Sequence, residues 1–102
     1  TLYLLWCGTE LAGFIILGEK DGLPDPNRTP WLSFLFVAPA YRGRRLGKRL
    51  IDHACEAAKE SGHQQVFLYT DHEGLYEKYG FTYLESRKDA WGDISRIYLR
   101  VL

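Results

Sequence analysis

Residues 31–61 hold the pattern that narrows the fold first. Trp31–Val37 (WLSFLFV) is apolar except at Ser33, and Pro39 closes the run. Arg42, Arg44, Arg45, Lys48 and Arg49 then place five cations within eight residues, with Gly43 and Gly47 among them. From there Leu46, Leu50, Ile51, Ala54, Ala57 and Ala58 follow a helical period. Ser61-Gly62 supplies the stop, with Gly62 at the C′ place. An almost wholly apolar run of this length predicts a strand buried on both faces at the centre of a sheet. The sequence therefore predicts a central strand that feeds a helix through a basic, glycine-containing loop.

The flanks extend that sheet. Leu2 to Cys7 and Leu11 to Leu17 are apolar runs around Gly8-Thr9-Glu10, which reads as a β-hairpin. Gly18 to Pro30 holds Gly22, Pro24 and Pro26 among polar residues and predicts a loop, a candidate flap on the substrate side. Val66 to Thr70 reads as a fourth strand, and Leu75 to Tyr79 as a short helix closed by Gly80. Phe81 to Arg87 and Ile94 to Val101 form a closing strand pair around residues 89–93. The predicted order is β-β-β-α-β-α-β-β in a single mixed α/β (α+β) domain over 1–102, with no repeat or linker to divide it.

Composition removes several classes of function. Thirteen basic residues balance thirteen acidic ones, so a generally basic, nucleic-acid-coating domain is not expected. Hydrophobic residues make up 46%, which argues against a disordered chain. No apolar run approaches the roughly 18 residues of a membrane span, and no signal-peptide pattern opens the chain. Cys7 and Cys55 are too few for a disulfide framework. They predict a reducing, cytoplasmic setting with both thiols as small core residues. Residue 1 is Thr and there is no Met, so a shortened N-terminus is expected.

The five cations call for a reason. A helix N-terminus presents unpaired N–H groups and a partial positive charge, so cations there are unfavourable. An anion in the same place reverses the sign, because N–H groups, dipole and side chains then act together. Arg42 to Lys48 therefore reads as a phosphate or pyrophosphate cradle, with a solvated basic helix start as the plainer alternative. A Walker A loop fits poorly: only three residues separate Gly43 from Gly47, and Arg49, not Ser or Thr, follows Lys48.

Two motifs together resemble a known family. Arg42-Gly43-Arg44-Arg45-Leu46-Gly47, after Phe36-Val37-Ala38-Pro39, is similar to the Gln/Arg-x-x-Gly-x-Gly/Ala signature of the GCN5-related N-acetyltransferases. Leu75-Tyr76-Glu77-Lys78-Tyr79-Gly80-Phe81 resembles that family's apolar-Tyr-Glu-Lys-x-Gly-Phe segment. The likeness runs over roughly residues 2–102. It implies a largely antiparallel central sheet flanked by helices, lacking the family's usual first strand and first two helices. Arg45 departs from the signature, standing where the family usually has Gly.

The resemblance also implies roles. Leu35, Phe36 and Val37 would pair with the pantetheine arm of acetyl-CoA, and Arg42, Gly43, Arg44, Arg45, Leu46, Gly47 and Lys48 would hold its pyrophosphate. The activity implied is direct transfer of the acetyl group to a primary amine, on a small molecule or a peptide, without a metal. Tyr76 matches the family's general acid. Asp71 and His72 would face the gap between the two central strands, and His72 has the best unperturbed pKa for a base, about 6.5. Trp31, Ser33 and Tyr69 are candidates to line the acceptor side. No membrane or nucleic-acid partner is expected, while the exposed sheet edge favours a homodimer. A non-catalytic acyl-CoA-binding module, or an inactive relative, is the competing reading.

Overall fold

A computed structural model describes residues 1–18, 28–88 and 91–102. The middle of the expected flap, 19–27, and residues 89–90 of the last hairpin turn lie outside the described residues. Among the described residues, six strands form one sheet: β1 (Leu2–Cys7), β2 (Glu10–Gly18), β3 (Trp31–Val37), β4 (Gln65–Thr70), β5 (Thr82–Lys88) and β6 (Ile94–Val101). The sheet order is β1-β2-β3-β4-β6-β5. Every neighbouring pair is antiparallel except β3 and β4, which run parallel. One α-helix, α1 (Leu46–Glu60), makes the β3–β4 crossover, as a parallel pair requires. The expected second helix is a short 3₁₀ turn, Tyr76–Tyr79, and another covers Pro39–Tyr41.

The period read from the sequence places α1 correctly. Leu50, Ile51, Ala54, Cys55 and Ala58 are buried. They pack with Ile15, Leu32, Val66, Leu68, Phe81 and Tyr98 in one core beneath the sheet. The helix ends in a Schellman arrangement: Gly62 N–H donates to the Lys59 carbonyl at 3.0 Å and His63 N–H to that of Ala58 at 3.1 Å. Asp52 fixes the outer side of α1. Its carboxylate accepts from Lys48 Nζ at 2.5 Å and from Arg100 Nη1, on β6, at 2.8 Å. Burial alone would raise this carboxyl, but the hydrogen bonds from Lys48 and Arg100 hold it below its ordinary value.

Several sequence expectations need correction. Both thiols were expected in the core, yet only Cys55 is there. Burial pushes its thiol up to about 11, which leaves it unreactive. Cys7 is exposed, because the edge strand β1 shifts register between Leu5 and Trp6 and its last residues leave the core. Trp6 (56% exposed) and Trp91 (79%) are likewise surface residues. The strand expected to be buried on both faces is so only at Trp31 and Leu32; Phe34 is 72% exposed and Phe36 is also outward. The helix covers one face of the sheet. On the other, Leu4, Phe14 and Phe36 stand directly across from one another on β1, β2 and β3. The Phe14 and Phe36 rings stack there at 5.2 Å.

Gly13, on β2, is closely approached by both β3 and α1. A Cβ at this position would stand 2.4 Å from the Phe36 carbonyl oxygen and 3.1 Å from Leu50 Cδ1. The first of these is backbone held in a ladder, so relief requires moving a strand. Gly13→Ala is expected to cost about 3 kcal/mol, read as a lower urea midpoint at unchanged slope. An unmoved midpoint would contradict this packing.

Candidate active site

The site is built at a split in the sheet. β3 and β4 are paired at Trp31↔Phe67 and share no further paired residues, so the strands diverge above that point. The joint is packed tightly: Trp31, Phe67 and Ile97 form a second buried cluster, and the Trp31 indole N–H donates to the Arg28 carbonyl at 2.6 Å. Trp31, expected on the acceptor wall, is 1% exposed and belongs to this cluster instead. It is the first residue of β3, at the closed end of the split.

Above the joint, β3 bulges. Phe14 pairs with Phe36 and Ile16 with Ser33, so two residues of β3, Phe34 and Leu35, face one of β2. Phe34 takes φ +52°, left-handed backbone that a bulky side chain rarely adopts. Bulges of this kind re-aim side chains beside functional sites. Two cavities open on the split. One, of about 700 Å³, is lined by Ser33, Phe34, Tyr69, Thr70, Asp71, His72, Tyr76, Asp93 and the first two residues of β6, Ile94 and Ser95. The expected acceptor-side residues Ser33 and Tyr69 and the expected catalytic residues Asp71, His72 and Tyr76 thus meet in one place.

The other cavity, about 670 Å³, runs from the outer end of β3 to the start of α1. Leu35, Phe36, Val37, Arg42, Gly43, Arg45, Leu46 and Gly47 line it, all expected from the sequence. His72 lines both cavities and stands between them. Tyr41, Leu75 and Tyr79 complete the groove and were missed as site residues. Leu75 and Tyr79 lie inside the second motif, which was the available signal. Tyr41 had none beyond its place beside Arg42. Its hydroxyl donates to the Glu10 carboxylate, and this bond, with burial and the Glu10 charge, pushes the phenol up to about 12.

The helix start is electrostatically open. No side chain caps α1 and no acidic residue occupies its first turn. The cations around it divide into groups. Arg42 Nε donates to the Val37 carbonyl at 3.1 Å and so folds the loop back on β3. The Arg44 guanidinium lies over the Tyr41 ring at 5.6 Å, and Lys48 is held by Asp52. Arg44 and Lys48 were expected in the cradle, but neither lines the groove. Tyr76, which lines the larger cavity, is half-buried. Burial pushes its phenol above the ordinary 10.0, with Tyr79 adding to the rise. Among the described residues, no group of three or more His, Cys, Asp or Glu is placed to hold a metal ion.

Arg45 occupies the N-cap position of α1 at φ +58°, ψ +27°. This is left-handed backbone, which explains physically why Gly suits that signature position. A side chain there costs on the order of 1 kcal/mol relative to Gly. Arg45→Gly is therefore expected to stabilise the folded chain by about 1 kcal/mol, partly offset by the freer unfolded chain. Urea denaturation followed by circular dichroism reads the change; a destabilised variant would mean that the guanidinium makes a contact worth more than the strain.

A family model described as the Acetyltransferase (GNAT) family matches residues 1–81. Comparison with curated proteins returns no sequence match. An acetyltransferase from Bacillus anthracis, crystallised with acetyl coenzyme A, superposes at TM-score 0.81 and 22% identity, covering 99% of this chain and 61% of that one. A GNAT family acetyltransferase from Elizabethkingia anophelis, with acetyl-CoA bound, gives 0.82 and 20%, covering 99% and 75%. An aminoglycoside 6'-N-acetyltransferase complexed with coenzyme A gives 0.80 and 17%, covering 98% and 71%. This chain thus spans between 61% and 75% of those proteins. At such identities the structural likeness is one of fold. The family model, running from β1 through Phe81, carries the assignment: the chain belongs to the GNAT acetyltransferase family.

Proposed function

We propose that this chain transfers an acetyl group from acetyl-CoA to a primary amine. One observation carries the reading. A groove ending at an uncapped, cation-rich helix start shares His72 with a second cavity lined by polar and titratable side chains. The groove fits the co-substrate. The β3 edge at Leu35–Val37, left without a strand partner on the β4 side, suits an amide-bearing arm that pairs as an added strand would. The free N–H groups of the first turn of α1, with Arg42 and Arg45 beside them, suit a pyrophosphate. Structural neighbours crystallised with acetyl-CoA or CoA support that co-substrate for this fold.

Bound acetyl-CoA supplies an acetyl thioester. The chain then has three tasks. It receives the amine in the larger cavity, where Asp71 and His72 stand to take its proton directly or through water. It offers backbone N–H near Phe36 and Val37 to the oxygen on which negative charge develops. It keeps a proton on Tyr76 for the departing sulfur. Because burial raises the Tyr76 phenol further above an alkyl thiol of about 8.5, full proton transfer is uphill. Tyr76 therefore assists a leaving group that is already tolerable.

The amine is a small molecule or a peptide amine, and the setting is cytoplasmic. No helix among the described residues is long and apolar enough to cross a membrane. We also propose a homodimer formed through the apolar face of β1 and β2, where Leu2, Leu4 and Trp6 are exposed. Sedimentation velocity is expected to show a dimer that Trp6→Glu disrupts. A wild-type monomer at tens of micromolar (~) would refute the dimer.

Calorimetric titration with acetyl-CoA, followed by an assay for amine-dependent thiol release, tests the main reading. CoA-specific binding with release supports it; binding without release would make the chain an acyl-CoA-binding module. In the same assay Tyr76→Phe is expected to lower kcat by about 100-fold at most, without abolishing turnover. The sign of its pH dependence follows from the raised phenol. Tyr76 stays protonated through neutral pH and loses its proton only above 10.0, so the alkaline limb it causes lies there and vanishes in the Phe variant.

A further inference from the structure

Residues 71–75 join β4 to the 3₁₀ turn and carry His72, the residue common to both cavities. Residues 71–74 are exposed, so packing alone does little to fix them. Polar contacts hold them. The His72 N–H donates to Thr70 Oγ1 at 3.1 Å. The His72 carbonyl accepts from the Tyr98 hydroxyl at 3.4 Å. The Glu73 carboxylate pairs with Arg96 at 3.2 Å.

The last two contacts converge on one side chain. Arg96 stands opposite Thr70, in the final pair of the β4–β6 ladder. Its Nη1 donates to the Tyr98 hydroxyl oxygen at 3.4 Å, and its guanidinium lies 4.6 Å over the Tyr83 ring. The direction of these bonds matters. Arginine has only donors, so Arg96 takes up a lone pair of the Tyr98 oxygen and leaves the Tyr98 proton for the loop. That proton faces the His72 carbonyl and the Glu77 carboxylate, one before the 3₁₀ turn and one within it. Glu73 is largely in water, so its ion pair adds little to stability. The arrangement costs side-chain freedom and returns little stability, so its effect is on geometry.

We propose that Arg96 is a positioning residue: through Tyr98 and Glu73 it fixes the His72 peptide between the donor groove and the acceptor cavity, and so governs capture of the acceptor. The inference rests on the proposed amine acetylation, in which the larger cavity receives the acceptor. It also predicts that Lys will not replace Arg. An ammonium lacks the planar fork that meets Glu73 and Tyr98 together while its face covers Tyr83.

Tyr98→Phe keeps the buried ring and removes only the hydroxyl, which makes it the primary variant; Arg96→Gln and Arg96→Lys accompany it. At saturating acetyl-CoA, each is expected to lower kcat/KM for the acceptor by about tenfold or more, mainly through KM. The Kd for acetyl-CoA should change by less than about twofold, since β3, the basic loop and the start of α1 supply most of the groove's lining. Amide hydrogen exchange at His72, Glu73 and Gly74 should quicken in all three variants while exchange in β4 and β6 does not. Adding Arg96→Gln to Tyr98→Phe should change little further, as expected of one coupled unit. The proposal is overturned if exchange at 72–74 is unaltered in Tyr98→Phe, or if Arg96→Lys behaves as wild type. Equal loss for both substrates with a general fall in melting temperature would also overturn it, pointing to support of the β5–β6 hairpin alone. Absence of acetyl transfer by the wild-type chain would refute the acetylation reading; the exchange measurement would still decide whether the clamp exists.

Discussion

The site depends on one joint, the pairing of Trp31 with Phe67. A parallel pair of strands normally continues its ladder, because each buried N–H and C=O needs a partner. Here the ladder stops where it starts. Trp31, Phe67 and Ile97 pack beneath it and fix the angle at which β3 and β4 part. On the other side β3 remains laced to β2 as far as Val37, so the strand stays extended while its β4 edge is open. The bulge at Phe34–Leu35 then turns side chains into the opening. Joint, bulge and α1 together make a cleft with backbone on one wall and side chains on the other.

This explains which parts of the molecule the sequence disclosed. The helix was legible because Leu50, Ile51, Ala54 and Ala58 share one face and Ser61-Gly62 ends it. The groove residues Leu35–Val37, Arg42, Gly43 and Arg45–Gly47 were legible because the motif around them is local in the chain. Trp31 was misplaced because an indole near a loop can serve equally as cleft wall or as core. Only the pairing with Phe67, which is 36 residues away in sequence, decides between them. Phe34 was beyond reach for a different reason. Phe is a poor choice for left-handed backbone, so no propensity argument would put it there. The bulge is imposed by the register of the whole β2–β3 pair.

The two exposed thiol and indole side chains at the end of β1 follow the same logic. Leu2, Leu4 and Trp6 alternate with Tyr3 and Leu5, and period two alone does not say which set faces the helix. Tyr3 and Leu5 pack against the core, so the other set faces outward. Cys7 would continue the inward set, but the register shift after Leu5 removes it from the core.

The basic loop shows how a cation-rich helix start persists in a folded protein. Arg42, Arg44 and Lys48 are occupied by a carbonyl, a ring face and a carboxylate. Each of these contacts is at least partly open to solvent, and such contacts are worth at most about 1 kcal/mol. They suffice to order the side chains without neutralising the helix end, which keeps its dipole and its free N–H groups. A phosphate arriving there would gain charge-assisted bonds roughly twice as strong as neutral ones. It would displace little, since Arg45, Leu46 and Gly47 already line the groove. Arg45 holds strained backbone to stand there, and that strain is intelligible if the loop is shaped for the ligand and not for the stability of the helix.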